Sequence, residues 1–262
     1  MSFPIVLYHR VIAAERHQRI LGMVERDRSV SIASLRRNFP VSLMTLWRDL
    51  EHLREAGRIQ RVRGGAVAAG DPAETAISVK ARRHSEAKRR IARTAVDQLV
   101  RRGMTLIIDG GSTVAEVCPL LAGRGVTVLT HSLTILARMQ RDAPDAGCHA
   151  SGGMLRPISG TFVGPDAIRF FRRKRADLFL MTVTGLDPEH GLTDPNPLEV
   201  EVKQAMIQAA QRTVLLVDAS KLGQTAMCPV APFHRMHAVV CDAPNQLPRF
   251  PARPGARWFR AR

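Results

Sequence analysis

The chain has 262 residues, 45% of them hydrophobic, with 39 lysines and arginines against 23 acidic residues and a formal net charge of +16. Two domains are expected at this length, and the absence of any apolar run near ~20 residues excludes a helical membrane span. The basic excess favours a polyanionic partner, nucleic acid being the commonest. Four scattered cysteines (118, 148, 228 and 241) form no C-x-x-C pair, so neither a disulfide framework nor a zinc site is expected, a pattern of the reducing cytoplasm. The nine histidines are dispersed too; His234 and His237 stand three apart without a third ligand, and no metal or cofactor is expected. Lysine occurs only five times, at 80, 88, 174, 203 and 221. Such arginine dominance reflects codon bias as readily as function, so charge alone does not decide.

Residues 1–14 read as an irregular leader, because the apolar patch has no basic segment before it as a secretory signal would. Residues 15–69 read as a winged helix-turn-helix. "RHQRILGMVER" places Ile20, Leu21 and Val24 at helical spacing, and Ser31 precedes "IASLRRNF", where Ile32, Leu35 and Phe39 repeat. Ser42 caps a third helix, "LMTLWRDLEHLREA", which Gly57 ends at C′. At ~100° per residue, Leu46, Leu50 and Leu53 share one face, while Met44, Trp47, Arg48, Glu51 and Glu55 fall on the other. A short capped helix, apolar behind and basic near its start, suits the major groove, with Ser42, Met44, Thr45, Trp47 and Arg48 as candidate DNA-contacting residues. "RIQRVRGGAV" then reads as a two-stranded wing whose Arg58, Arg61 and Arg63 would lie along the sugar-phosphate backbone.

From Val41 to Ala66, "VSLMTLWRDLEHLREAGRIQRVRGGA" resembles the DeoR family of bacterial transcription regulators, whose pattern runs V-S-x-x-T-I-R-R-D-L, L-x-x-x-G, R-x-x-G-G-A. The resemblance implies DNA binding. Trp47 replaces the first arginine of the family's pair, which removes a charge and leaves a large apolar group to meet a sugar, a thymine methyl or the wing.

Residues 70–84 read as a linker and 85–242 as an effector-binding α/β domain. Helical "EAKRRIARTAVDQLV" leads into "MTLIID", and helices then alternate with short apolar strands, including "VTVLT", "ADLFLMTV", "TVLLVD" and "HAVVC". The pattern indicates a mostly parallel, Rossmann-like sheet covered on both faces. Ligands gather where such strands end. Asp109, Gly110, Gly111, Ser112 and Thr113 stand at one strand end, Thr130, His131 and Ser132 at the next, then Gly152 and Gly153, and Lys221 in "DASK". Glycine turns and helix starts suit a phosphate, and Lys221, Lys203 or Arg156 would add charge. Glu199 and Lys203, four apart on a helix, read equally well as a surface pair. The last stretch, 243–262, carries five arginines in "RFPARPGARWFRAR", with Pro251 and Pro254 against a helix; it reads as a basic, disordered tail.

This half also resembles the DeoR family's effector domain, which is similar to sugar-phosphate isomerases. The landmarks "DGGST", "THS" (T-N-S is usual), "SGGMLR", "FVGPDA", "TGLDPEHGLT", "EVEVK" and "DASK" appear in order between Lys88 and Lys221. His131 takes the asparagine position and brings a titratable proton. The resemblance implies a non-enzymatic regulator, a repressor of a carbohydrate operon that responds to a phosphorylated sugar. It would bind double-stranded operator DNA as a homo-oligomer, dimer or tetramer, in the cytoplasm, with the residues from Asp109 to Lys221 named above holding the effector. The rival reading is a sugar-phosphate isomerase with an accessory nucleic-acid domain, its base drawn from Asp109, Asp187 or Glu199.

Overall fold

The structure, a computed structural model, describes residues 13–27, 29–56, 58–62, 65–68, 77–243 and 255–261. It falls into two compact units, Met1–Pro72 and Ala73–Arg262.

In the N-terminal unit the order is α1 (Ala13–Asp27), β1 (Ser29–Ser31), α2 (Ile32–Asn38), α3 (Leu43–Glu55), β2 (Ile59–Val62) and β3 (Gly65–Ala68). Helix α1 begins inside the stretch read as leader, and residues 1–12 lie outside the described ones. Ser31 and Ser42 cap α2 and α3 by accepting from the backbone N–H three residues on. Ile20, Leu21 and Val24 of α1 meet Leu35, Phe39, Leu46, Leu50, Leu53 and Ile59 in one core. The expected two-stranded wing is a three-stranded antiparallel sheet, β1-β3-β2. Strand β1 is too short to show alternation in sequence; Val30 buries itself, and a Cβ at Gly65 would fall 2.1 Å from the Val30 carbonyl oxygen. That close approach requires glycine at the second position of the turn.

The C-terminal unit opens with α4 (Ile77–Arg82) and α5 (Ser85–Leu99). The stretch read as a linker, 70–84, thus holds a short helix in its second half; six residues make less than two turns, too few for a periodic signal. There follow β4 (Thr105–Ile108), α6 (Ser112–Ala115), β5 (Thr127–Thr130), α7 (Leu133–Asp142), β6 (Gly147–Ala150), the hairpin β7 (Met154–Arg156) and β8 (Thr161–Val163), and α8 (Pro165–Arg172). Next come β9 (Ala176–Met181), β10 (Gly185–Asp187), β11 (Gly191–Asp194), α9 (Pro197–Ala209), β12 (Ala210–Val217), β13 (Cys228–Ala231), β14 (Ala238–Cys241) and β15 (Arg257–Arg260).

Seven strands form one parallel sheet in the order β15-β14-β12-β9-β4-β5-β6, and β10-β11-β13 form a small antiparallel one. The central strands β4, β9 and β14 and the second half of β12 are apolar because both faces are covered, whereas the edge strands β6 and β15 are largely exposed. The alternation of the central strands divides the core. Leu106, Ile108, Leu178, Leu180, Val214 and Leu216 face one layer with residues of α5 and α7. Ile107, Phe179, Met181, Leu215 and Val217 face the other with residues of α8 and α9. The tail read as disordered supplies β15, an edge strand paired to β14. Proline excluded a helix there, yet Arg257, Trp258, Phe259 and Arg260 need only an extended backbone, and Trp258 stacks on Phe233 with centroids 5.5 Å apart.

From β4 the chain builds outward through β5 and β6, then returns to the other side of β4 with β9. The β4–β9 boundary is thus a topological switch point, where adjoining connections diverge and leave a crevice at the strands' carboxyl ends.

Candidate functional site

In the N-terminal unit, α3 turns Leu46, Asp49, Leu50 and Leu53 inward and leaves Arg48 and Met44 exposed, the latter at 68%. The Ser42 and Thr45 hydroxyls lie 2.8 Å apart, and Ser42 accepts from the Thr45 backbone N–H, so both already serve the cap. Trp47 is half-buried against the unit's own core, which fills the volume that the sequence left open toward DNA or wing. Arg58 is exposed; Arg63 and the Arg61 side chain lie outside the described residues, as does Gly57.

The sequence reading missed Asp49. Arg16 grips it through two hydrogen bonds of 2.6 and 2.9 Å, and His17 Nε2 stands 2.9 Å away. Both ion-pair partners are buried. Burial works to raise the Asp49 carboxyl, but the bonds from Arg16 and His17 outweigh it and hold it below the ordinary aspartate range. This pair fixes α3 on α1, and so sets how α3 is presented. The aspartate of "WRDL" is legible as a motif position, but nothing in the spacing points to Arg16.

In the C-terminal unit, the residues expected at the strand ends do come to one edge, and several have structural duties. Asp109 is 2% exposed. It accepts from the Gly110 and Thr182 backbone N–H at 2.8 and 3.1 Å, which spans the switch point. Lys203 Nζ lies 3.0 Å from Asp109 and 2.5 Å from Asp194, and donates to the Thr182 carbonyl at 2.7 Å. Burial opposes the Lys203 charge, yet the two carboxylates raise it above the ordinary lysine range. Glu199 does not pair with Lys203. It accepts from Arg156 at 2.5 Å and Thr161 at 2.8 Å. Burial works to raise its carboxyl, but the Ser159 and Thr161 hydroxyls and then the Arg156 and Lys203 charges outweigh it and hold it below the usual carboxylate range. The surface-pair reading of Glu199 and Lys203 is therefore corrected: each is withdrawn from solvent and engaged with a different strand.

The glycines have packing reasons. A Cβ on Gly110 would stand 2.4 Å from the Thr161 methyl, and one on Gly111 2.0 Å from the Thr182 methyl. Gly152 and Gly153 take φ of +66° and +111°, in the region that favours glycine. Thr130 donates to the Ile108 carbonyl and accepts from the Ser132 N–H, and Ser132 caps α7. Ser112 and Thr113 are buried at the start of α6; their hydroxyls and the Lys221 ammonium have no hydrogen-bond partner among the described residues. His131 is 2% exposed, and its Nδ1 is likewise unpartnered. Among the described residues no group of three or more side chains suits a metal ion, and no helix is long and apolar enough to cross a membrane.

A helix-turn-helix unit and a parallel α/β sheet on one chain are the architecture of a transcription regulator that joins a DNA-binding domain to a second, α/β domain. Comparison with known proteins gives the same class. The family described as the DeoR-like helix-turn-helix domain matches residues 16–70, and the DeoR C terminal sensor domain matches 83–243. The chain belongs to the DeoR family of transcriptional regulators. It is 32% identical to the HTH-type transcriptional regulator GlpR of Haloferax volcanii over 88% of this chain and 91% of that one. It is also 32% identical to the glycerol-3-phosphate regulon repressor of Escherichia coli over the same shares, and 30% identical to the regulator IolR of Bacillus subtilis over 82% and 86%. Among solved structures, ribose 5-phosphate isomerase from Plasmodium falciparum is similar at a TM-score of 0.39 and 17% identity, over 53% of each chain, too distant to bear on function.

Two outcomes are expected. Asp49→Ala strands the Arg16 guanidinium and should destabilise the N-terminal unit by about 3 kcal/mol, read as an earlier unfolding transition in calorimetry. The wild-type pair's contribution is present above the ordinary value of 3.8 and is lost as pH falls through the lower folded value. His131 behaves differently: burial, foremost, lowers it from 6.5, so the unfolded chain takes up a proton that the folded one refuses. Stability of the C-terminal unit should fall as pH drops below about 6.5, and His131→Asn should flatten that profile. Identical pH profiles for wild type and His131→Asn would show that the folded and unfolded states protonate this imidazole alike, and would overturn the assignment.

Proposed function

We propose that the chain represses a carbohydrate-metabolism operon, binding operator DNA through α3 and the wing, and that a phosphorylated sugar in the switch-point crevice alters that grip. The observation that carries the effector reading is a division of labour at the crevice. Asp109, Asp194, Glu199, Lys203 and Arg156 are engaged with one another and with backbone, whereas Lys221 and the Ser112 and Thr113 hydroxyls have no hydrogen-bond or ion-pair partner among the described residues. Cation and hydroxyl donors beside a glycine loop are the groups that a phosphate monoester recruits. The names of the relatives that regulate a glycerol-3-phosphate regulon support the same ligand class.

Catalysis fits less well. An isomerase base must be tuned toward neutrality, but Glu199 is held below its ordinary range by bonds that overcome burial. Asp187 is likewise lowered, by hydrogen bonds from the His190 and Glu189 region. The crevice therefore suits capture of an anion, and the net charge of +16 suits a DNA partner. Two-fold readers act as even-numbered homo-oligomers on repeated sites, so a dimer or tetramer is proposed.

Arg48→Ala should weaken operator binding by ~1–3 kcal/mol if the guanidinium reads a base, measured by fluorescence anisotropy at fixed salt. Lys221→Ala should abolish the response of operator affinity to phosphorylated sugars. Turnover of ribose 5-phosphate by the purified protein, or an Arg48→Ala affinity equal to wild type, would sink the respective assignments.

A further inference from the structure

Four of the chain's five lysines, 80, 88, 203 and 221, belong to one electrostatic cluster at the carboxyl edge of the parallel sheet. The fifth, Lys174, is elsewhere, over the Phe170 ring. Arginine supplies nearly every other cation of this chain. Lysine differs from it by presenting a compact, strongly hydrated point charge rather than a wide planar fork. Two of the four are committed: Lys203 to Asp109 and Asp194, and Lys88 Nζ to the Lys80 backbone carbonyl. Lys80 and Lys221 have no ion pair or side-chain hydrogen bond among the described residues, although Lys80 is half-buried.

The surroundings of Lys80 come from several elements. Lys221 follows β12, Asp194 ends β11, and Glu199 and Lys203 are on α9. Asp194, Glu199 and Lys203 are bonded to other groups; the two carboxylates attract Lys80 and Lys203 repels it, without an ion pair to Lys80 among the described residues. Burial and then the Lys221 charge push the Lys80 ammonium down from the ordinary lysine range. Both half-buried ammoniums are felt by each other as like charges, and an anion bound by both would offset that repulsion. Among the described residues the same edge holds one further buried nitrogen without a partner, His131 Nδ1; the unpartnered Asp218 Oδ2 is a carboxylate oxygen and offers an anion no bond. Helix α4 carries Lys80 to this place. Its Ile77 N–H donates to the Ile158 carbonyl at 3.3 Å, and it packs on α6, the element that begins with Ser112.

We propose that Lys80 is a second cationic ligand, beside Lys221, for a phosphorylated small molecule at the switch-point crevice, and that α4 thereby carries occupancy of the crevice into the segment that joins the two units. The proposal rests on the effector reading above and adds a residue and a route to it. Helix α4 lies just past the unit boundary at Pro72 and Ala73. A ligand held by Lys80 restrains α4, and any operator-bound arrangement that needs α4 elsewhere is disfavoured by the same free energy.

The test uses the full chain with glycerol 3-phosphate, fructose 6-phosphate and inorganic phosphate as probes, in calorimetric titration and in operator-release assays. Wild type, Lys80→Met, Lys80→Arg and the control Lys174→Met are compared, with thermal unfolding reporting the fold of each. Lys80→Met should weaken the Kd of the responding phosphate about tenfold or more and blunt operator release to match. Lys80→Arg, which keeps the charge but not the point geometry, should fall between it and wild type and serves alone if the methionine variant does not fold. Lys174→Met should match wild type. Wild-type affinity in both Lys80 variants would overturn the inference and leave the effector reading standing. If no probe binds or releases the wild type, both fail together.

Discussion

The ammonium of Lys203, held between Asp109 and Asp194 and donating to the Thr182 carbonyl, joins the ends of β4, β9 and β11 at the one place where the sheet's connections diverge. Three charges withdrawn from water are costly, and such a group is stable only when its remaining valences are met. They are: Gly110, Thr182 and Thr184 supply backbone N–H donors to the two carboxylates. Because Asp109 is fixed, the glycine loop after it has one course, close against Thr161 and Thr182, with no room for a side chain. The loop's shape is therefore set by ions that face inward.

The N-terminal unit solves a smaller version of the same problem. Asp49 is the inward-facing acid of α3, and Arg16 and His17 of α1 meet it. One helix is thereby oriented relative to another by paired hydrogen bonds with fixed geometry, where apolar contact alone would tolerate rotation. Trp47 adds to this by packing inward, so the exposed side of α3 is narrower than its helical wheel implies and centres on Met44 and Arg48.

What was legible in the sequence followed the range over which each signal acts. Strands such as "TLII" and "TVLLV" announce themselves by local apolarity, and the helix caps at Ser31 and Ser42 by residue type. Short pieces without a full period escaped: β1, α4 and the antiparallel β10-β11-β13. Strand β15 was hidden by prolines that exclude helices and say little about an edge strand beyond them. At the site the residue types were readable and their partners were not. Glu199 and Lys203 look like a pair at four residues, but Arg156 reaches Glu199 from 43 positions away and Thr182 reaches Asp109 from 73. The scarcity of lysine was visible throughout; that the scarce residues converge needed the fold.

The spread of those distances also orders events in time. Within the N-terminal unit, contacts such as Arg16 to Asp49 span 33 positions. The switch point, by contrast, cannot close until β9 is available to lie beside β4. Chains rich in short-range contacts fold orders of magnitude faster than parallel sheets, whose long loops must be closed before any pairing rewards them. The contacts of the N-terminal unit all lie within Met1–Pro72, whereas the seven-stranded sheet draws its strands from residues 105 to 260.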